Sequence, residues 1–249
     1  MAPSIFRRGR APSPSAENDG NFGLTHLNPA LEANASGLGD QQTPFEVDIV
    51  AVHGIDGHPF TTWTHQDGVC WIRDFLPDHL PGARIFTFGY ESKVAFTLST
   101  GGLGDFARSL LVTLTGIRKS GEERHRSIIF VCHSMGGIVV KKALIIAALE
   151  PQHFINIRES TTAILFLGTP HRGSSTTELP KVLANIARIG TCWLTGLMKT
   201  ELLRSLAKGS KELEEISIAF RNQAASMRIV SFVEQKATPP FSERVRHQT

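Results

Sequence analysis

Cysteine is scarce in this chain. Its three residues, Cys70, Cys132 and Cys192, are odd in number and widely separated. That excludes a disulfide framework and a zinc-ligand spacing, and it suits a reducing, intracellular compartment. Long apolar runs are lacking too. A membrane-spanning helix needs roughly 18–20 apolar residues, and the longest candidate, 138–149, is interrupted by Lys141 and Lys142. The N-terminus carries no apolar core of a secretory signal. Nor is there a strong excess of one charge. The formal net charge is +3, and Arg7, Arg8 and Arg10 supply much of the basic excess, which argues against a nucleic-acid surface. Residues 1–44 lack a periodic apolar pattern and are rich in Pro, Ser, Gly, Asn and Ala. They read as a mostly disordered segment, with a short edge strand across Phe22–Leu27. The first sixteen residues hold three arginines and no acid. Mitochondrial presequences share that pattern, but we read it as a solvated basic tail.

What is present is enough for a core. With 41% hydrophobic and 20% charged residues over 249 positions, the composition is that of a globular α/β chain. Apolar runs rich in β-branched and aromatic residues predict strands at 47–52, 84–89, 128–131, 162–167 and 227–233. Phe106, Ala107, Leu110, Leu111, Leu114 and Ile117 recur at three- and four-residue steps and predict a helix over 104–117. A shorter helix is expected from Cys70 to Phe75, ending near Pro77, and the stretch 178–224 reads as helical with breaks near Gly190 and Gly209. Strands alternating with helices imply a mostly parallel sheet covered on both faces. Ligands of such sheets bind beyond the carboxyl ends of the strands.

The most informative stretch is 127–140, Ser-Ile-Ile-Phe-Val-Cys-His-Ser-Met-Gly-Gly-Ile-Val-Val. A buried strand meets a tight turn centred on Ser134, and an apolar helix follows. That is the setting of a nucleophile elbow. Strand and helix nearly touch at such a turn, so the residues two before and two after the serine must be small. Gly136 meets that demand, and Cys132 stands where glycine is usual. A second strand, Val47–Val52, runs into His53-Gly54-Ile55-Asp56-Gly57, the place for an oxyanion-hole loop.

The text VHGIDGHPFTTWTH, FTFGY, VCHSMGGIVVKKAL and ILFLGTPHRGS, in that order over about residues 45–235, resembles α/β-hydrolases of the lipase-like serine esterase group. It is similar to the serine active site-containing protein family and to the hydrolase-like N-terminal domains of fungal NACHT and ankyrin-repeat proteins. The resemblance implies an α/β-hydrolase fold with a cap-like helical region at 178–224, where Leu183, Ile186, Ile189, Trp193, Leu194, Leu197 and Met198 either line an acyl pocket or simply pack. It implies Ser134 as nucleophile and the N–H groups of Ile55 and Met135 as oxyanion donors. His53, Gly54, His133, Gly136 and His171 support these motifs. Triads of this fold run Ser, acid, His along the chain, so His53 comes too early to be the base. Glu234, after the last strand, is the candidate acid, with Asp56 and Asp67 as alternatives only if that order fails.

The candidate base is His247, the only histidine after Glu234, and it sits in an irregular tail, 236–249, with no strand before it. Relative to the family the chain reads as truncated at its C-terminus. The resemblance further implies a small-molecule or lipid ester as substrate, no metal or organic cofactor, and peripheral association with mitochondrial or endoplasmic-reticulum membranes. The rival reading is a catalytically impaired hydrolase-like interaction module. The weak base favours the rival, and the paired His53-Gly54 loop and Ser134 elbow favour the enzyme.

Overall fold

A computed structural model describes residues 22–29, 46–54, 57–92, 101–169 and 213–233. The expectations for 1–21, 178–212 and 236–249 lie outside these residues. Six strands form one sheet: β1 (Gly23–His26), β2 (Val47–Val52), β3 (Arg84–Gly89), β4 (Ser127–His133), β5 (Thr161–Leu167) and β6 (Arg228–Phe232). Their spatial order is β1-β3-β2-β4-β5-β6. Only β1 is antiparallel to its neighbour; every other pair is parallel.

The helices are α1 (Trp71–Asp74), α2 (Leu76–His79), α3 (Gly101–Ile117), α4 (Gly121–His125), α5 (Gly136–Leu149) and α6 (Pro151–Ser160), followed by α7 over 213–221. Side chains alternate faces along a strand, and here both faces are covered. Val50, Val52, Phe86, Phe88, Phe130 and Phe166 pack against α3, α5, α6 and α7. Val47, Ile49, Ala51, Ile85 and Val131 pack against Trp63, Cys70 and Ile72. This explains why β2 and β3 are buried at every position and read as largely apolar, with Asp48, Arg84 and Thr87 as their polar members.

Three features add to what the sequence offered. The short helix expected from Cys70 to Phe75 is α1, and Pro77 follows its end. Pro77 occupies the first turn of α2, where its missing N–H has no intrahelical acceptor to lose. Helix α6 was not expected, although Pro151 at its start marks such an N-terminus. Lys141 is buried within the apolar run of α5. It is 2% exposed, with its ammonium 5.3 Å from the Phe166 ring centroid and 5.8 Å from that of Phe220, and burial lowers it to about 8.

The end of the sheet opposite the elbow is held by charge. Asp48, wholly buried in β2, accepts Arg84 Nε at 2.7 Å and Arg84 Nη2 at 2.8 Å. It also accepts Arg126 Nε at 2.9 Å and Arg118 Nη1. Burial alone would raise this carboxyl, but the Arg84 pair, with Arg126 and Arg118, holds it below the usual carboxylate range. Arg118 and Arg126 spend further donors on the carbonyls of Arg124, Arg126, Val47 and Gly82. Arg84 also reaches Glu123, which the capping box of α4 fixes against Ser120. One carboxylate thus ties β2, β3, the end of α3 and the start of β4 together. Removing one partner of a buried ion network costs about 3–5 kcal/mol, because the remaining charges stay buried. Asp48→Ala should therefore lose that much in urea unfolding at neutral pH. A loss under about 1 kcal/mol would show that the network does not hold the sheet.

Candidate active site

The turn between β4 and α5 is built as the sequence demands. Ser134 has φ +50°, the only positive φ of a non-glycine residue among the described residues. A left-handed backbone costs an L-residue roughly 1–2 kcal/mol, and hydrogen bonds on both sides offset it here. The Ser134 N–H donates to the Leu167 carbonyl at 2.9 Å. The Ser134 carbonyl accepts the Gly137 N–H at 3.2 Å and the Thr169 hydroxyl at 2.9 Å. The turn leaves Ser134 half-buried, at the carboxyl end of β4 beside the end of β2.

Space explains the glycines. A Cβ on Gly136 would lie 2.2 Å from the Val52 carbonyl oxygen and 2.5 Å from that of His53. Any side chain there would push α5 off β2. A Cβ on Gly54 would lie 2.7 Å from Ser134 Cβ, so the His53-Gly54 backbone rests directly against the serine. Cys132, two residues before Ser134, is fully buried in the core shared with α5. Burial pushes its thiol up, only partly offset by Lys141, so it stays a protonated core residue rather than a rival nucleophile.

His53 is wholly buried. Its Nδ1 lies 2.9 Å from the Gly54 carbonyl, an acceptor, so that nitrogen carries the proton. Its Nε2 accepts the Tyr90 N–H at 3.4 Å. Both ring nitrogens are therefore engaged by backbone, and none faces Ser134. Burial, only partly countered by the Gly54 hydrogen bond, lowers the imidazole to about 4, and the ring is neutral at pH 7. The Gly54 carbonyl also accepts the Gly57 N–H at 3.1 Å. His133 is exposed, and its Nδ1 would lie 3.3 Å from a Cβ on Gly54.

The structure thus brings His53, Gly54, His133, Ser134, Met135 and Gly136 together at one rim. The Met135 N–H stands at the start of α5, where the first N–H groups have no intrahelical acceptor. Ile55, Asp56, His171, Glu234 and His247 lie outside the described residues. Asp67 sits in an exposed turn, accepting the Val69 N–H at 3.1 Å and paired with His65. Among the described residues, no group of three or more His, Cys, Asp or Glu is placed to hold a metal. Sequence reasoning passed over Tyr90 and Thr169. Each follows directly on a strand or its closing glycine at this same rim, and that position was the available signal.

The mature form of the Bacillus licheniformis lipase BlEst2 has a solved structure similar to this chain, with a TM-score of 0.53 at 20% identity, covering 88% of this chain and 75% of the lipase. The chain has the α/β-hydrolase fold. Within this fold, residues 103–226 match the PGAP1-like alpha/beta domain family. Protein SERAC1 of Danio rerio is 26% identical over 216 residues, covering 78% of this chain and 31% of that protein. Protein SERAC1 of Homo sapiens is 24% identical over 218 residues, with the same coverage. The α/β-hydrolase chain spans about a third of the length of these curated relatives.

The buried imidazole makes stability depend on pH. An unfolded histidine titrates near 6.5 and His53 near 4, so between those values the unfolded chain binds the extra proton. The His53 contribution is complete above pH 6.5 and is lost as pH falls towards 4, by about 3 kcal/mol. Urea unfolding of the wild type should lose that much more stability between pH 6.5 and 4 than His53→Gln does. Equal losses in the two proteins would place the imidazole in contact with solvent.

Proposed function

We propose that this α/β-hydrolase is a serine esterase of lipase or carboxylesterase type, acting on a small-molecule or lipid ester. The observation that carries the reading is Ser134 at φ +50° with the His53-Gly54 backbone against its Cβ. Both parts of an acyl-transfer site, a nucleophile on a strained turn and a loop able to supply an oxyanion donor, meet at one point. Ser134 Oγ attacks the ester carbonyl carbon and passes its proton to a base. The carbonyl oxygen becomes an oxyanion, which the N–H groups of Met135 and Ile55 stabilise. The carbon–oxygen bond to the alcohol then breaks, and the alcohol leaves with the proton. Water attacks the acyl-enzyme by the same route and releases the acid. Losing one oxyanion donor typically costs about 3–4 kcal/mol of transition-state stabilisation.

In this reading Glu234 is the acid, and the base is a histidine, for which the sequence offers His247 and His171. A serine hydroxyl needs such a base. Without it, turnover falls by about 10⁶, leaving roughly 10³–10⁴ over water from binding and the oxyanion hole. The placement at mitochondrial or endoplasmic-reticulum membranes derives from family likeness. Among the described residues no helix is long and apolar enough to cross a membrane.

Incubation with a fluorophosphonate and weighing of the intact protein tests the reading. One adduct per chain is expected, absent in Ser134→Ala and after heat denaturation. Folded wild-type protein that takes no adduct would remove the esterase reading and favour a hydrolase-like interaction module.

A further inference from the structure

Residues 86–90, Phe-Thr-Phe-Gly-Tyr, end in the only tyrosine of the chain. Tyr90 lies one residue past β3, beside the end of β2, and is 6% exposed. It touches His53 in three ways. Its hydroxyl donates to the His53 carbonyl at 2.8 Å. Its ring stacks on the imidazole, with centroids 4.5 Å apart and planes at 13°. Its backbone N–H points at His53 Nε2. Phe106 packs on the tyrosine ring, with centroids at 4.8 Å, so the ring is itself held in place.

The hydroxyl has a definite task. The ladder between β2 and β4 ends at Val52 and Cys132, and the His53 carbonyl lies beyond it, against Gly136. A buried carbonyl at that point needs a donor, and a phenylalanine ring would supply none. The next carbonyl along, that of Gly54, receives the imidazole Nδ1–H. A trans peptide is planar and points its N–H away from its C=O. Fixing the His53 carbonyl therefore fixes the N–H direction of the peptide leading into Gly54, and the Gly54 carbonyl is held in turn. The imidazole delivers Nδ1–H to Gly54 only while its other nitrogen is the acceptor, and the Tyr90 N–H enforces that tautomer.

We infer that Tyr90 is a positioning residue of the oxyanion loop, holding His53 in the Nδ1–H form and pinning its carbonyl so that the loop keeps its direction beside Ser134. This rests on the proposed role of that loop in acyl transfer, and it concerns a residue that never touches substrate. A residue that only filled the core would be replaced without effect by phenylalanine, which keeps the ring and the backbone N–H.

The test uses the full chain with ¹⁵N-labelled histidine, as wild type, Tyr90→Phe and Tyr90→Leu, with His53→Gln to assign the His53 signals. At pH 7 the wild-type His53 ring should show its proton on Nδ1. Tyr90→Phe should keep that pattern and its melting temperature within a few degrees, while fluorophosphonate labelling of Ser134 slows about tenfold. Tyr90→Leu, which keeps the backbone N–H but loses both the hydroxyl and the stacked ring, should keep the Nδ1–H tautomer and slow labelling further. A wild-type ring protonated on Nε2 would overturn the inference, as would a Tyr90→Phe labelling rate equal to wild type. If the wild type takes no label, the esterase reading fails by itself. The wild-type tautomer then still decides the geometry assigned to Tyr90: a proton on Nδ1 supports it and a proton on Nε2 overturns it.

Discussion

The close approach of the backbone of β2 and His53 to the first turn of α5 at Gly136 is the constraint on which the rest depends. With a carbonyl oxygen 2.2 Å from where a Cβ would stand, helix and strand cannot separate without undoing the turn that presents Ser134. That contact forces the left-handed backbone at Ser134, brings Gly54 against the serine and orients the start of α5 towards the same point. The strain at one residue is small beside the packing that enforces it: Val52, Cys132, Ile138 and Phe166 are all fully or almost fully buried around the turn.

The two ends of β2 show how differently one strand manages polarity. At its start, Asp48 stays ionised in a dry interior because three guanidinium groups surround it. At its far end, His53 stays neutral because burial disfavours its charged form, and the Gly54 hydrogen bond only partly counters that. The charged end ties strands together where no chemistry is expected. The neutral end adds no fixed cation of its own beside Ser134, so that in the proposed reading a developing oxyanion would be met by N–H dipoles.

Much of this was legible in the sequence. Ile128 to Val131 and Val47 to Val52 are apolar, β-branched and short, and residues buried on both faces of a parallel sheet look like that before any fold is known. The Ser134 turn was legible because its small neighbours are a local steric demand. The Asp48 network was not, because its partners stand 36, 70 and 78 residues away and no periodicity links them. A lone acid inside an apolar strand was the hint. The surroundings of Lys141 were hidden for the related reason that Phe166 and Phe220, whose rings lie near its ammonium, are distant in the chain. Tyr90 was hidden because nothing in its own neighbourhood in the chain shows that the end of β3 lies beside the end of β2.

In the proposed reading, the strained serine and the close His53-Gly54 backbone belong to a site organised for acyl transfer before any substrate arrives. The account stands on that preorganisation being productive, so the most direct measurement is pre-steady-state mixing of the chain with a short-chain p-nitrophenyl ester. A burst of p-nitrophenolate approaching one equivalent per chain, followed by a slower steady rate and absent in Ser134→Ala, is the predicted result. Release indistinguishable from that of Ser134→Ala would contradict the account and leave the elbow as architecture without chemistry.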